Sequence, residues 1–262
     1  MRPERDILSA ENITGKLGTR FIGKRVIVYP KLTSTMEIAR IAASNGVPEG
    51  TVIIAEEQTA GKGRLDRSWV SPKGCAILSI ILYPDIMRLP SLIMVASVAL
   101  INTIKKITGL KASIKWPNDI LINGKKVSGI LIESTINDKN VGYAVIGMGI
   151  NVSFNINDYP EIASIATTLS DEKGKYISRV DIIRTLLVEI EKLYLLLSTD
   201  KDAIYREWRD NMDTIGKRVS AKAGDIVYEG VADSVSEDGS LVLTLSNGKQ
   251  VNFTAGDVTL LK

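Results

Sequence analysis

The chain has 262 residues, of which 45% are hydrophobic and 24% are charged, and it contains no histidine. Its apolar content is sufficient for the core of one good-sized domain with a smaller companion. The absence of histidine excludes Ser-His-Asp and Cys-His hydrolases, HExxH zinc peptidases and histidine phosphocarriers, because each of them needs an imidazole. Any catalysis must therefore use Lys, Arg, Asp, Glu, Ser, Thr or Tyr side chains.

The net charge of +3 is concentrated in one short segment. Residues 61–73 contain the basic residues Lys62, Arg64, Arg67 and Lys73 but only one acidic residue, Asp66. The rest of the chain has equal numbers of basic and acidic residues. A basic segment with glycines favours a discrete anion, such as a phosphate chain, over a broad nucleic-acid surface. A solvated charged loop is the alternative interpretation.

Cysteine content and the N-terminal sequence indicate a cytoplasmic protein. The single cysteine, Cys75, cannot form an internal disulfide, and residues 1–6 do not resemble a signal peptide. One uncharged and largely apolar stretch, residues 89–104, is 16 residues long, whereas a membrane span needs about 20 apolar residues. We therefore expect a buried helix there and no membrane segment.

The first predicted elements alternate between strands and helices. Residues 25–29 read as a buried strand, and Ser34 with Glu37 forms a capping box that begins a helix ending at Asn45-Gly46. Strands follow at residues 51–55 and 76–83, on either side of the basic segment. Only 24 residues precede the first strand, too few for a three-helix DNA-binding unit.

The middle of the chain predicts one long helix and four strands. Pro90 begins the helix, which runs to about Thr108 and stops at Gly109. Strands are expected at residues 113–116, 119–122, 127–133 and 143–151, and Asn123-Gly124 marks a hairpin turn. Together with the first elements, these strands predict a mixed α/β sheet domain.

The last part of the chain changes character. Ser178 and Asp181 cap a second long helix to about Leu197, and a shorter helix covers residues 201–211. Short alternating runs at residues 226–231, 241–245 and 251–253 then predict a small antiparallel barrel. We accordingly divide the chain into residues 1–214 and residues 215–262.

The segment from Gln58 to Trp69, QTAGKGRLDRSW, is the first candidate for chemistry. Its glycines let backbone N–H groups approach a ligand, and its basic side chains can neutralise phosphate oxygens. The pattern is neither GxxxxGK[ST] nor GxGxxG, which excludes a Walker or Rossmann assignment. It predicts an anion site without naming the ligand.

Three further segments carry candidate site residues. Lys115 to Asp119, KWPND, combines a lysine, an amide and a carboxylate around a Trp-Pro bend. Pro-Asn-Asp also favours a turn, so the segment could be a turn alone. Lys125 and Lys126 are consecutive residues next to a predicted strand, so their side chains should point to opposite faces of the sheet and one of them should face a site. Residues 147–151, GMGIN, end an apolar strand with glycines that let a ligand approach the backbone.

Taken together, these four segments resemble the catalytic domain of biotin protein ligases. The matching segments are QTAGKGRLDRSWVSPKG at residues 58–74, KWPND, KVSGILIE at residues 126–133, and GMGIN. The resemblance extends from about residue 25 to the C-terminus. It implies an α+β fold, in which helices flank a mixed sheet like that of class II aminoacyl-tRNA synthetases, followed by a C-terminal SH3-like barrel.

The resemblance also implies a reaction. Members of this family use ATP with Mg²⁺ to convert biotin to biotinyl-5′-AMP, and then transfer biotin to one lysine of a biotin carboxyl carrier protein domain. This chemistry needs cations, a metal and a closed site, and it needs no histidine. The family also implies a possible homodimer, and the short N-terminus implies a stand-alone ligase without direct DNA binding.

By matching motif, Ser34, Thr35 and Gln58 are expected to contact the ureido ring of biotin. Gly63 and Arg64 would close over biotin and the acyl phosphate, and Lys126 would lie near the reacting carboxylate. Lys115 and Asp119 would support transfer to the acceptor lysine. The remaining predicted binding residues, several of them on the nucleotide side, are Met36, Gly61, Lys62, Arg67, Trp69, Asn118, Gly129, Gly149 and Asn151. The metal ligands are not identified by the sequence.

Two residues depart from the common family pattern. Lys62 stands between the glycines where arginine is usual, which keeps the charge but loses the bidentate fork. Met36 stands where an asparagine commonly follows Ser-Thr, which removes a polar contact to biotin.

Three alternatives remain beside biotin ligation. They are a lipoate or octanoate ligase, a non-catalytic sensor of biotin or a nucleotide, and a small-barrel nucleic-acid-binding protein. KWPND with the GKGRxxR pattern favours a biotin ligase over the first. Residues 216–262 carry five basic and six acidic residues, which disfavours the last.

Overall fold

A computed structural model describes residues 6–65, 67–137, 140–223, 226–254 and 256–261. Asp66 and residues 1–5, which entered the sequence predictions, lie outside the described residues. The helices are α1 Ala10–Thr14, α2 Thr35–Ser44, α3 Leu92–Thr108, α4 Pro160–Ala163, α5 Leu169–Lys173, α6 Arg179–Leu196 and α7 Lys201–Asp210. The strands are β1 Val26–Tyr29, β2 Val52–Ala55, β3 Cys75–Leu82, β4 Ser113–Lys115, β5 Asp119–Ile122, β6 Lys125–Asn137, β7 Asn140–Asn151, β8 Arg218–Ala223, β9 Ile226–Val235, β10 Leu241–Leu245, β11 Gln250–Phe253 and β12 Asp257–Leu260.

The first seven strands form one mixed sheet in the order β1-β2-β3-β7-β6-β5-β4. β1 and β2 are parallel, and the other neighbours are antiparallel. The Asn123-Gly124 turn joins β5 to β6 with positive φ angles of 50° and 77°, as a tight hairpin requires. The mixed α/β sheet predicted from the sequence is confirmed.

Helices cover both faces of this sheet. α3 and α6 pack on one face and form the main core with alternate residues of β3 such as Leu78 and Ile80. α2 packs on the other face, where Met36 and Ala39 contact a smaller cluster that contains Ile81. β3 is fully buried, as expected for a central strand covered on both sides.

α3 is the long helix expected from the uncharged stretch. It ends at Gly109, which adopts the left-handed conformation with φ 72°. By length and composition alone, residues 89–108 could cross a membrane, but 72% of the most apolar window is buried inside the protein. The helix therefore has the burial of a core helix.

The capping box predicted between Ser34 and Glu37 is wrong. Ser34 occupies the N-cap position of α2, but its hydroxyl caps no backbone N–H group. Instead, Thr33 Oγ1 donates to Glu37 Oε2 over 2.7 Å. The physical reason is that the Ser34 side chain turns inward and is buried at a cavity. The Ser178 cap of α6 is confirmed, since its hydroxyl accepts from the Asp181 N–H.

Strands β8 to β12 form a second, antiparallel sheet in the order β11-β10-β9-β8-β12. The predicted antiparallel character of this part of the chain is confirmed, although β8 and β12 were not predicted as strands. Its closure into a barrel remains a prediction. In the part of the chain that the structure describes, β11 and β12 are the edges of this sheet. Trp116 connects the two sheets, because its Nε1 donates to Gly239 O over 2.9 Å. The division between residues 214 and 215 remains a prediction.

A buried ion cluster ties the start of α6 to the first sheet. Arg179 is 1% exposed, and its guanidinium contacts Asp6 at 3.0 Å and Glu56 at 2.7 Å. The Asp6 carboxylate also accepts from the backbone N–H groups of Arg179 and Val180. Because Glu56 directly follows β2, the cluster fixes the position where the chain enters the segment that begins at Gln58.

Candidate active site

A cavity of about 730 Å³ lies on the α2 face of the first sheet. Its walls come from the N-terminus of α2, the segment between β2 and β3, the β4–β5 turn, the glycines of β6 and β7, and β12. The predicted site residues that line it are Ser34, Thr35, Met36, Gln58, Lys62, Gly63, Arg64, Arg67, Trp69, Lys115, Asn118, Asp119, Lys126, Gly129, Gly149 and Asn151. Four segments far apart in sequence are thus brought together.

Uncharged polar groups form the floor of the cavity. Gln58 Oε1 accepts from the Thr35 N–H at 2.7 Å and from Thr35 Oγ1 at 3.1 Å, and Gln58 Nε2 donates to Ser71 Oγ at 2.9 Å. The Ser34 hydroxyl is buried there and has no hydrogen-bond partner among the described residues. A buried hydroxyl without a partner is costly, and a ligand in the cavity can satisfy it.

Met36 supplies an apolar wall beside this floor. A Cβ placed on Gly147 of β7 would lie 2.4 Å from Met36 Sδ, so the thioether lies directly against the backbone of this glycine. The longer side chain at position 36 is accommodated because position 147 carries no side chain. The loss of a polar contact, expected from the sequence, is thus accompanied by an apolar surface in the same place.

The basic segment folds back on itself as a narrow hairpin-like loop. Trp69 N–H donates to Gly61 O at 2.8 Å, and Gly63 N–H donates to Arg67 O at 2.7 Å. This fold brings Arg64 toward the β4–β5 turn, where its Nη1 donates to Asn118 Oδ1 at 3.3 Å. The predicted basic segment therefore forms one wall of the cavity.

Gly61 is the predicted binding residue that does not line the cavity. A Cβ at this position would lie 2.4 Å from Trp69 O and 2.9 Å from Gln58 Nε2. The glycine is therefore needed for close packing inside the loop. Its predicted contact with a ligand is not supported by this geometry.

The Trp69 indole lies across a pair of glycines on neighbouring strands. Gly129 of β6 and Gly149 of β7 are register partners. A Cβ on Gly149 would lie 2.3 Å from Trp69 Nε1, and one on Gly129 would lie 3.1 Å from Trp69 Cζ3. The sequence predicted that these glycines admit a ligand, and the structure places an aromatic ring against them.

A β-bulge selects which of the two lysines faces the cavity. Ile120 pairs with Ser128 and Leu121 pairs with Lys126, so Val127 has no partner in β5 and turns into the main core. Without this extra residue, the alternation of β6 would point Lys125 into the cavity. The bulge instead places Lys126 there, and Lys125 is exposed.

Lys126 is held between a carboxylate and an aromatic ring. Its Nζ lies 2.7 Å from Asp119 Oδ1 and 5.2 Å from the centroid of the Trp69 ring. Asp119 in turn begins β5 opposite Lys115, with which it pairs in register. The ammonium group therefore has a fixed place in the cavity, between the Asp119 carboxylate and the Trp69 ring.

The two asparagines of the site are held by backbone carbonyls. Asn118 Nδ2 donates to Ile130 O at 2.8 Å, and Asn151 Nδ2 donates to Thr167 O at 3.1 Å. Both side chains are thereby oriented before any ligand binds. Cys75 lies next to Asn151 in the sheet register, and burial raises the pKa of its thiol, so it is unsuited to nucleophilic chemistry.

Two parts of the cavity wall were not predicted. The first consists of Ile162, Ser164, Ile165 and Ala166, and it is joined to β6 because Lys126 N–H donates to Ile165 O at 2.9 Å. Gly256, Val258 and Thr259 bring the C-terminal sheet to the cavity. Neither part carries a sequence pattern that distinguishes it from an ordinary loop or strand.

The described residues offer little for direct coordination of a metal. They contain no group of three or more Asp, Glu or Cys side chains that could hold an ion. Mg²⁺ commonly binds through one or two carboxylates together with substrate phosphates and water. This donor set is therefore compatible with Mg²⁺ that arrives on a nucleotide.

Comparison with known protein families identifies both parts of the chain. Residues 28–151 match the Biotin/lipoate A/B protein ligase family, and residues 214–261 match the Biotin protein ligase C terminal domain. The bifunctional ligase/repressor BirA of Bacillus subtilis is 38% identical over 253 residues, which cover 95% of this chain and 78% of that protein. The chain belongs to the biotin protein ligase family.

Other members of the family agree along nearly the whole chain. The biotin–[acetyl-CoA-carboxylase] ligase of Mycobacterium tuberculosis is 29% identical, and the match covers 100% of this chain and 98% of that protein. The solved structure of the Aquifex aeolicus biotin protein ligase in complex with biotin and ATP superposes with a TM-score of 0.76. It is 27% identical and covers 91% of this chain and 99% of that one.

Proposed function

We propose that this protein activates biotin with ATP to form biotinyl-5′-AMP and pyrophosphate, and then transfers biotin to a lysine of a biotin carboxyl carrier protein domain. One observation carries the proposal for the site. A single cavity joins an uncharged polar floor at Ser34, Thr35 and Gln58 to cationic groups at Arg64 and Lys126. Biotin has the matching polarity, with an uncharged ureido ring at one end and a carboxylate at the other.

The floor fits the ureido end of biotin. The ureido group presents one carbonyl between two N–H groups, and so it needs a donor and acceptors. The Ser34 hydroxyl is buried without a partner and can donate to the carbonyl. Thr35 Oγ1 already directs its hydrogen to Gln58, and its oxygen can accept from a ureido N–H.

The cationic end fits the activation step. The biotin carboxylate attacks the α-phosphorus of ATP, a P–O bond forms, and the bond to pyrophosphate breaks. Negative charge develops on the phosphate oxygens, where fixed cations stabilise it without needing to reorganise. We assign this role to Lys126 and Arg64. Mg²⁺ bound to the ATP phosphates would supply further neutralisation of the leaving pyrophosphate.

The nucleotide is proposed to lie on the side of Trp69. Arg67 and Lys62 are exposed cations on the cavity wall, and Asn118 and Asn151 present oriented amides. An indole ring and amides suit a heteroaromatic base and a ribose, whereas the cations suit phosphates.

The second step is proposed to use Asp119 and Lys115. The acceptor lysine must lose a proton before its nitrogen attacks the acyl carbon and AMP leaves. Asp119 lies within reach of the reacting group as the ion-pair partner of Lys126, so its carboxylate can orient or deprotonate the incoming amine. Lys115 is opposite Asp119 in the β4–β5 register and can interact with the departing phosphate.

A lipoate or octanoate ligase is the nearest rival, and the polar floor disfavours it. An octanoyl chain ends in a methyl group and would leave the buried Ser34 hydroxyl without a partner. The sensor alternative does not account for a lysine held between a carboxylate and an indole ring in the cavity.

We also propose that the protein works in the cytoplasm, as a homodimer, and without direct contact to DNA. A buried, unpaired Cys75 is compatible with a reducing compartment. Residues 216–262 carry one more acidic than basic residue, which disfavours a nucleic-acid surface on the C-terminal sheet. Light scattering of the purified protein measures the assembly state directly.

Incorporation of labelled biotin into a carrier domain tests the complete reaction. With ATP and Mg²⁺, mass spectrometry should show one biotinyl group on one lysine of the carrier. A carrier with this lysine changed to arginine is the matched control and should remain unlabelled. Labelling of the carrier by lipoate but not by biotin would contradict the proposal.

A further inference from the structure

A lone hydroxyl lies inside β3, a fully buried central strand of the first sheet. Ser79 is 0% exposed and interrupts an otherwise apolar strand, β3, whose sequence is CAILSIIL. It does not line the cavity. Desolvating a hydroxyl is unfavourable unless it is hydrogen-bonded, so the partner of Ser79 indicates what the residue contributes.

Ser79 Oγ donates to Thr35 Oγ1 at 2.9 Å. Thr35 lies at the first turn of α2 and lines the cavity, whereas Ser79 lies beneath it in the sheet. The serine is therefore one layer behind the proposed contact residue. It can influence a ligand only through Thr35.

The backbone fixes the direction of this hydrogen-bond chain. The Thr35 N–H can only donate, so the Gln58 atom 2.7 Å from it must be the amide oxygen. This oxygen also faces Thr35 Oγ1 at 3.1 Å, which makes the threonine hydroxyl the donor to Gln58. Ser79 must then donate to Thr35. On the far side, Gln58 Nε2 donates to Ser71 Oγ.

The consequence is a fixed polarity at the cavity floor. With its hydrogen committed to Gln58, Thr35 can present only a lone pair to a ligand. The neighbouring Ser34 hydroxyl, which has no partner in the described residues, remains free to donate. Adjacent donor and acceptor groups match the carbonyl and N–H groups of a ureido ring.

We propose that Ser79 is a positioning residue for biotin, which holds the Thr35 hydroxyl in the orientation that accepts a ureido N–H. This inference rests on the proposed function, since it concerns how the same cavity recognises biotin. Ser79 touches neither substrate nor reacting atoms. Its effect should therefore appear in the apparent affinity for biotin, and not in that for ATP.

Steady-state pyrophosphate exchange with the Ser79→Ala variant tests the proposal. We expect the KM for biotin to rise at least about threefold, as for the loss of one hydrogen bond, with the KM for ATP and kcat within about twofold of wild type. Ser97→Ala is the matched control, because Ser97 is also 0% exposed but lies on α3, away from the cavity, without a hydrogen-bond partner among the described residues. It should leave all three constants within about twofold.

A second variant covers the case in which the alanine protein does not fold. Ser79→Cys keeps nearly the same shape but donates a much weaker hydrogen bond, so it should also raise the KM for biotin, and Ser97→Cys should not. A biotin KM within about twofold of wild type for a folded Ser79 variant would overturn the proposal, as would equal increases for biotin and ATP. Wild-type protein that shows no exchange with biotin would instead refute the proposed function.

Discussion

Lys126 Nζ lies 2.7 Å from Asp119 Oδ1 within the cavity. Both side chains are partly exposed, at 29% and 22%, and ion pairs of this kind contribute little to folding stability. The value of the contact is positional, because it keeps a cation and a carboxylate side by side where a carboxylate, a phosphate and an amine are proposed to react.

Replacement of Lys126 tests the activation step. We expect Lys126→Ala to slow single-turnover formation of biotinyl-5′-AMP at least tenfold, which corresponds to ~1.4 kcal/mol of transition-state stabilisation. Lys125→Ala is the matched control, because its side chain is exposed on the other side of the bulge. Unchanged adenylation in Lys126→Ala would show that another cation has this role.

Replacement of Asp119 separates the two steps. Asp119→Asn keeps the size of the side chain but removes its charge, so we expect transfer from preformed biotinyl-5′-AMP to the carrier to slow by about 10²-fold or more, as for loss of a general base. Adenylation should fall less, because Lys126 remains present. If adenylation falls while transfer is unchanged, Asp119 only holds the lysine.

A methyl group at Gly149 tests the position of Trp69. The added Cβ would lie 2.3 Å from Trp69 Nε1, and overpacking of this kind costs about 1–3 kcal/mol. We expect Gly149→Ala to displace the indole and raise the KM for ATP more than the KM for biotin. Gly18→Ala is the control, since nothing lies within 4 Å of its added Cβ. If Gly149→Ala and Gly18→Ala had the same KM for ATP, Trp69 would have no role in nucleotide binding.

The buried Asp6 carboxylate predicts how stability depends on pH. Burial alone would raise the pKa of Asp6, but hydrogen bonds from Tyr176 and Arg179 and the charge of Arg179 outweigh it, so that the pKa lies below its ordinary value of 3.8. A group with a lowered folded-state pKa stabilises the protein above its unfolded pKa and loses this contribution as pH falls through the folded value. We expect the free energy of unfolding to decline below about pH 4.

The Asp6→Asn variant isolates this contribution. Removing one partner of a buried pair leaves Arg179 incompletely compensated, and we expect a loss of about 3–5 kcal/mol at pH 7 in urea denaturation. The difference from wild type should shrink as the pH falls through the lowered pKa of Asp6, because the wild-type carboxylate then becomes protonated. Asp181→Asn, at an exposed carboxylate in the first turn of α6, should cost less than about 1 kcal/mol. A loss at Asp6 that does not change with pH would contradict the assignment.

Much of the sheet and of the site could be predicted from local patterns. The apolar runs of β2 and β3, the Asn123-Gly124 turn and the glycine stop of α3 each depend on a few adjacent residues. The four motif segments, taken together, also indicated most of the residues that line the cavity. These features were accessible because each depends on a short stretch of sequence.

The rest depended on contacts between distant residues. Ser34 with Glu37 has the sequence of a capping box, but burial at the cavity turns the Ser34 hydroxyl away from the helix. The bulge at Val127 depends on how β6 pairs with β5, which no local pattern in the sequence shows. The ion pair between Arg179 and Asp6 joins residues that are far apart in the sequence. The contact of Ser79 with Thr35 likewise joins two residues that are distant in the sequence.

Exchange of labelled pyrophosphate into ATP, measured in turn with biotin, lipoate and octanoate, shows which acid the protein activates. It reports acid activation alone and needs no carrier protein. We expect rapid exchange with biotin, little with the other two acids, and at least a tenfold slower rate in Lys126→Ala. Exchange with lipoate or octanoate but not with biotin would contradict this expectation.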